Sequence, residues 1–162
     1  MHIIESPQLI QTETLHYASL HLTVPRETIR TVMGPGVRKV FATLAEQNVS
    51  PVGAWFTHHL NRPDEFFDFE IGVPVSVPIE VSGEVKPGLW PSMKMARTVY
   101  HGDYDEGEFE GLGAAWAQFH AWVATRGYTT GSGLWEQYLV GPETSANPAD
   151  WRTELSLPLI KE

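Results

Sequence analysis

Glu136 is the side chain in this sequence best suited to chemistry, because of its neighbours. Trp135 precedes it and Tyr138 follows two places on, so a carboxylate sits within an aromatic run, Trp135-Glu136-Gln137-Tyr138. Alternate residues of a strand share a face, so Glu136 and Tyr138 point one way while Trp135 and Gln137 point the other. If the Trp135 face covers the helices, Glu136 and Tyr138 face a groove. A carboxylate flanked by rings suits a cation: opposite charges attract, and each ring adds roughly 0.5–2 kcal/mol of cation–π attraction. The same carboxylate, partly withdrawn from water, could also serve as a general base.

An internal repeat frames this residue. Val52-Gly53-Ala54-Trp55-Phe56 resembles Ser132-Gly133-Leu134-Trp135-Glu136 at a shift of 80 (135 − 55). Phe69-Glu70-Ile71-Gly72-Val73-Pro74-Val75 resembles Thr153-Glu154-Leu155-Ser156-Leu157-Pro158-Leu159 at a shift of 84 (158 − 74). Two near-constant shifts indicate two half-units separated by short insertions. The alignment matches Phe56 to Glu136 and His58 to Tyr138, so Phe56 and His58 are expected to face a shared groove. Tyr104, before the second helix, and Trp90, on an extended segment, are candidates to complete an aromatic wall.

Other chemistries find less support. His58 and His59 are adjacent, and neighbours on a strand point to opposite faces, so they cannot clamp one metal ion together. With no cysteine, thiolate ligands and thiol nucleophiles are excluded. No nucleotide-binding glycine loop occurs, and Gly131-Ser132-Gly133 forms no nucleophile elbow. Neither a metal nor a cofactor is expected.

The elements that must position these residues follow from periodicity. Leu9 to Val24 reads as extended, Val37 to Gln47 as a helix begun at Gly34-Pro35, and residues 53–59 and 66–73 as strands. The order then recurs: 83–100 extended, a helix over about 107–126 with Leu112, Ala115, Trp116, Phe119, Trp122 and Val123 inward, a stop at Gly127, and strands at 134–140 and 151–159. The expected fold is α+β: tandem β-α-β-β units over about 9–75 and 84–159, related by a pseudo-twofold. Two helices pack on antiparallel sheet, and a ligand groove lies between the halves.

One domain of 162 residues, 42% hydrophobic and 19% charged, accommodates this arrangement. Net charge is −9, from 11 basic and 20 acidic residues, which disfavours direct DNA binding. The N-terminus lacks the basic and apolar regions of a secretion signal, and no apolar run is long enough to span a membrane. A cytoplasmic location and no membrane contact are expected.

Taken together, Phe69 to Val75, His101-Gly102-Asp103-Tyr104, Trp135 to Tyr138 and Thr153 to Leu159 resemble the GyrI-like small-molecule-binding family. That family includes effector-binding domains of AraC-type and multidrug-sensing MerR-type transcription regulators. The resemblance runs from about Gln8 to Leu159. It implies paired β-α-β-β units, a central acid at Glu136 that meets cationic drugs among aromatic rings, and a glycine–aromatic element at Gly102 and Tyr104. Since no DNA-binding segment is evident, the chain looks like a stand-alone member. Such members resemble stress and toxin-resistance proteins that bind small toxins, inhibit gyrase, or hydrolyse strained electrophilic rings.

Three functions compete on this basis. The first is a binding module for hydrophobic, cationic or electrophilic aromatic compounds, with ligand contacts from Glu136, Tyr138, Tyr104, Phe56, His58 and Trp90. The second is a hydrolase in which Glu136 activates or steers water. The third is an inhibitor that uses its acidic surface to mimic DNA. A protein partner such as gyrase or a regulator is compatible with the resemblance, without support from any motif.

Overall fold

The computed structural model describes residues 4–60, 65–102, 112–131, 133–141 and 144–160. Two compact units emerge. One comprises Thr12–Ser92 with Ser132–Leu134, and the other Met1–Gln11, Met93–Gly131 and Trp135–Glu162.

In the first unit, strand β2 (Leu15–Pro25) leads through a short 3-10 turn into helix α1 (Ile29–Glu46). Strands β3 (Phe56–His59), β4 (Phe66–Val75) and β5 (Val85–Trp90) follow, and the antiparallel order is β3-β4-β2-β5. The alternation of β4 explains its two faces. Phe69, Ile71, Val73 and Val75 join Ala18 and Leu20 of β2 and Val40 and Leu44 of α1 in one buried cluster. Asp68, Glu70, Gly72 and Pro74 alternate with them and project from the face away from α1.

Helix α1 begins earlier than periodicity suggests, so Gly34, Pro35 and Gly36 lie inside it rather than at its start. Proline in a helix interior forfeits a backbone hydrogen bond, and glycine costs conformational entropy. Packing offsets this. A Cβ at Gly36 would approach Ile71 Cδ1 to 2.5 Å, so the bare backbone lets α1 lie close on β4. Tertiary burial thus decides the boundary that local propensity would place elsewhere.

In the second unit, β1 (Gln8–Gln11), β6 (Lys94–His101), β9 (Arg152–Ile160) and β8 (Leu134–Val140, from Trp135 onward) pair antiparallel in that order, and β7 (Thr129–Thr130) adds to β9. Helix α2 (Leu112–Thr125) packs on β6 and buries Ala115, Phe119 and Val123. It ends as expected at Gly127, whose φ of +80° is readily adopted only without a side chain. The amides of Gly127 and Tyr128 then bond back to the carbonyls of Ala124 and Val123.

In chain order the first unit runs β2-α1-β3-β4-β5 and the second β1-β6-α2-β7-β8-β9, an α+β fold with helices on antiparallel sheet. The expected segment Leu9–Val24 divides into β1 and β2, which join different units, and β5 pairs with β2 rather than with the later strands. A constant sequence shift reports chain order, not pairing. Among the described residues, no helix is long and apolar enough to cross a membrane.

Two glycines have a specific task on the first unit's sheet. Gly72 lies opposite Phe56 and Gly88 opposite Tyr17, and a Cβ on either would come within 2.4 Å of the facing ring. Each ring therefore lies flat across its neighbouring strand. Since Phe56 is fully buried and cannot swing away, Gly72→Ala should destabilise the protein by about 1–3 kcal/mol. Gly113 in α2 has open space around its missing Cβ, and Gly113→Ala should stabilise by about 0.5–1 kcal/mol. Urea denaturation of both variants tests the distinction; equal effects would remove the steric role given to Gly72.

Candidate functional site

Glu136 sits on β8 opposite Leu155, and Tyr138 opposite Thr153, so the two acidic and phenolic side chains share a face. The Tyr138 hydroxyl donates to Glu136 Oε1 at 2.7 Å. The Trp116 indole Nε1 donates to Oε2 at 2.6 Å. Both bonds are short. Trp116 lies in the early part of α2 and packs against the fully buried Phe119, with ring centroids 6.0 Å apart.

This corrects the sequence reading in one respect. Glu136 and Tyr138 turn towards the side on which α2 lies, and Trp135 occupies the opposite face. Strand alternation separates two faces but does not say which one a helix covers. Glu136 is 9% exposed, and among the described residues no lysine, arginine or histidine pairs with it. It is a buried acid held by two neutral aromatic donors, one of which, Trp116, the sequence had marked only as part of a buried helical stripe. Indole and carboxylate are 20 residues apart, and no spacing rule links a helix donor to a strand acceptor.

The registers also correct the repeat alignment. Gly72 pairs with Phe56 and Ser156 with Trp135, while Gly72 and Ser156 stand at the shift of 84 (156 − 72). Phe56 therefore takes the ladder position of Trp135, and Thr57 rather than Phe56 takes that of Glu136. Loop lengths between the matched strands differ by enough to slip the shift-80 alignment by one residue.

Phe56, His58 and Trp90 come together within the first unit, on the face away from α1. Phe56 packs edge-on against Tyr17 at 5.1 Å and lies 5.3 Å from Trp90. His58 sits directly opposite Glu70, and its Nδ1 is 3.0 Å from Glu70 Oε1. The Tyr17 hydroxyl donates to that same oxygen, also at 3.0 Å. His59 points the other way and stacks on Phe69 at 5.4 Å, so the two adjacent histidines serve different environments, as alternation requires. Tyr104 lies outside the described residues. Gly102 is described and adopts φ +131° at the end of β6.

Burial tends to raise the Glu70 carboxyl, but hydrogen bonds from His58 and Tyr17 and the nearby His58 and His21 imidazoles outweigh it and leave the acid below its ordinary range. Burial and the Glu70 charge push the Tyr17 hydroxyl up, so it remains a donor. Glu154 behaves oppositely: burial raises it despite Arg97, whose Nε lies 3.3 Å from its carboxylate. Among the described residues, no group of three histidine or acidic side chains could hold a metal ion.

A folded-state acid whose proton affinity is depressed contributes stability above its unfolded pKa and loses it as pH falls through the folded value. The stability difference between wild type and Glu70→Gln should therefore be full above the ordinary carboxylate range and shrink progressively below it. Thermal melts at a series of pH values measure this. A difference that widened with acid would contradict the lowered Glu70.

Comparison with solved structures places this geometry among known folds. The C-terminal domain of EcmrR is 19% identical, with a TM-score of 0.83 over 97% of this chain and 98% of that one. In the EcmrR–DNA complex the same TM-score is reached at 20% identity, but this chain spans only 59% of the EcmrR chain. SAV2435 bound to tetraphenylphosphonium gives a TM-score of 0.63 at 12% identity, covering 96% of this chain and 94% of that one. A hydrolase from Listeria innocua gives 0.65 at 12%, covering 95% and 91%. Likenesses at these identities establish the fold. No curated protein matches the sequence. The sequence pattern of the GyrI-like small molecule binding domain matches residues 6–160, and the chain belongs to that family.

Proposed function

We propose that this chain binds lipophilic organic cations, or strongly polarised aromatic compounds, with Glu136 as the anchor. One observation carries the reading: Glu136 is a buried carboxylate whose two oxygens are oriented by Trp116 and Tyr138, while no cation among the described residues balances it. Burying an ion without a partner is expensive, and a positively charged ligand offsets that cost. The fitting ligand is one that brings positive charge among aromatic rings, such as a quaternary ammonium or phosphonium ion. The rings of Trp116 and Tyr138 supply apolar and cation–π contact. A related fold has been solved with such an ion, tetraphenylphosphonium.

The second reading, a hydrolase acting on electrophilic small molecules, draws on neighbours named as hydrolases. Under it Glu136 steers or deprotonates a water molecule, and a tyrosine hydroxyl supports the leaving oxygen. Water would then share Glu136 with Trp116 and Tyr138, each of which donates to one of its oxygens.

Glu136→Gln separates the readings while keeping the side-chain shape. For a cation-binding site, affinity for tetraphenylphosphonium should fall by about tenfold or more, equivalent to roughly 1.4 kcal/mol, with tetraphenylmethane analogues of no charge little affected. For a hydrolase, turnover should vanish while affinity stays nearly constant. Calorimetric titration with product detection reads both. Wild-type binding and turnover in Glu136→Gln would leave this carboxylate a structural residue and end both readings.

A further inference from the structure

A second carboxylate, Glu70, is held differently from Glu136. The β2–β4 register puts His21 directly opposite it on one side, and the β3–β4 register puts His58 directly opposite on the other. Three neighbouring strands thus present histidine, glutamate, histidine in a row. Facing the same region are Tyr17 from β2, Asp68 from β4, paired with His21 at 2.5 Å, and Lys86 from β5, opposite Ser19.

The hydrogen bonds to Glu70 are one-sided. Tyr17 and His58 both engage Oε1, while among the described residues Oε2 receives no hydrogen bond. Its side chain is 20% exposed. Glu70 also stands at a boundary on its face: Tyr17, Phe56 and Trp90 to one side are buried, and His21 and Thr23 to the other are exposed. An ionised carboxylate with one oxygen pinned and the other available, at the edge of an aromatic floor, has the form of an acceptor for a donating cation.

We propose that Glu70 is a second cation-binding position, on the face of the first unit away from α1, which takes a protonated amine through hydrogen bonds to Oε2. The chemistry differs from that at Glu136. At Glu136 each oxygen already accepts a hydrogen bond, whereas among the described residues Glu70 Oε2 accepts none and rewards an N–H. This inference does not depend on the role of Glu136.

Benzylamine, as its ammonium ion, and benzyltrimethylammonium serve as paired probes of the full chain. In wild type, benzylammonium should move the imidazole NMR signals of His58 and His21, and calorimetry near neutral pH should record its affinity. Glu70→Gln should weaken benzylammonium about tenfold or more and leave benzyltrimethylammonium nearly unchanged. Glu136→Gln should weaken benzyltrimethylammonium. Benzylammonium binding unaffected by a folded Glu70→Gln, or wild-type imidazole signals that stay fixed at saturation, would overturn the proposal. The NMR arm stands even if the variant fails to fold. Loss of quaternary-ion binding in Glu136→Gln bears on the first site alone, so the two readings fail separately.

Discussion

The period of two in an antiparallel ladder is the constraint on which this molecule rests. A slip of one residue between β4 and its neighbours would turn Phe69, Ile71 and Val73 out of the core and carry Glu70 and Gly72 into it. Burial of the apolar set against α1 fixes the register, and everything on the opposite face inherits it. Glu70 therefore meets His21 and His58, and Phe56 finds Gly72 beneath its ring, as consequences of core packing. The same logic in the second unit sets Glu136 opposite Leu155 and Tyr138 opposite Thr153.

Glu70 and Glu136 are both largely withdrawn from water, and they differ in how their charge is managed. Glu70 is flanked by imidazoles that can become cations, so its ionised form is favoured. Among the described residues, Glu136 meets only neutral donors, an indole and a phenol. Hydrogen bonds compensate part of its desolvation but leave the net charge in place. An apolar side chain of similar volume at this position would avoid that desolvation cost.

Glycine enters as a packing device in three places. It allows α1 to approach β4 at Gly36, and it lets Phe56 and Tyr17 lie across neighbouring strands at Gly72 and Gly88. Large rings so placed fill the sheet face without lifting the adjacent strand. At Gly36 and Pro35 the helix tolerates its poorest formers because burial outweighs propensity.

Much was legible in the sequence itself. The strands expected at 66–73, 134–140 and 151–159 and the stop at Gly127 follow from alternation and glycine chemistry, and the aromatic setting of Glu136 marked it as unusual. Family membership could also be read from the motif order. Four things were decided only by tertiary structure: that α2 covers the Glu136 side of β8, that Trp116 supplies its second donor, that Phe56 rather than Trp55 matches Trp135, and that Glu70 lies between two histidines. The physical reason is common to all four. Local sequence determines period and face, whereas the choice of covered face and the ladder register are settled by contacts between segments far apart in the chain.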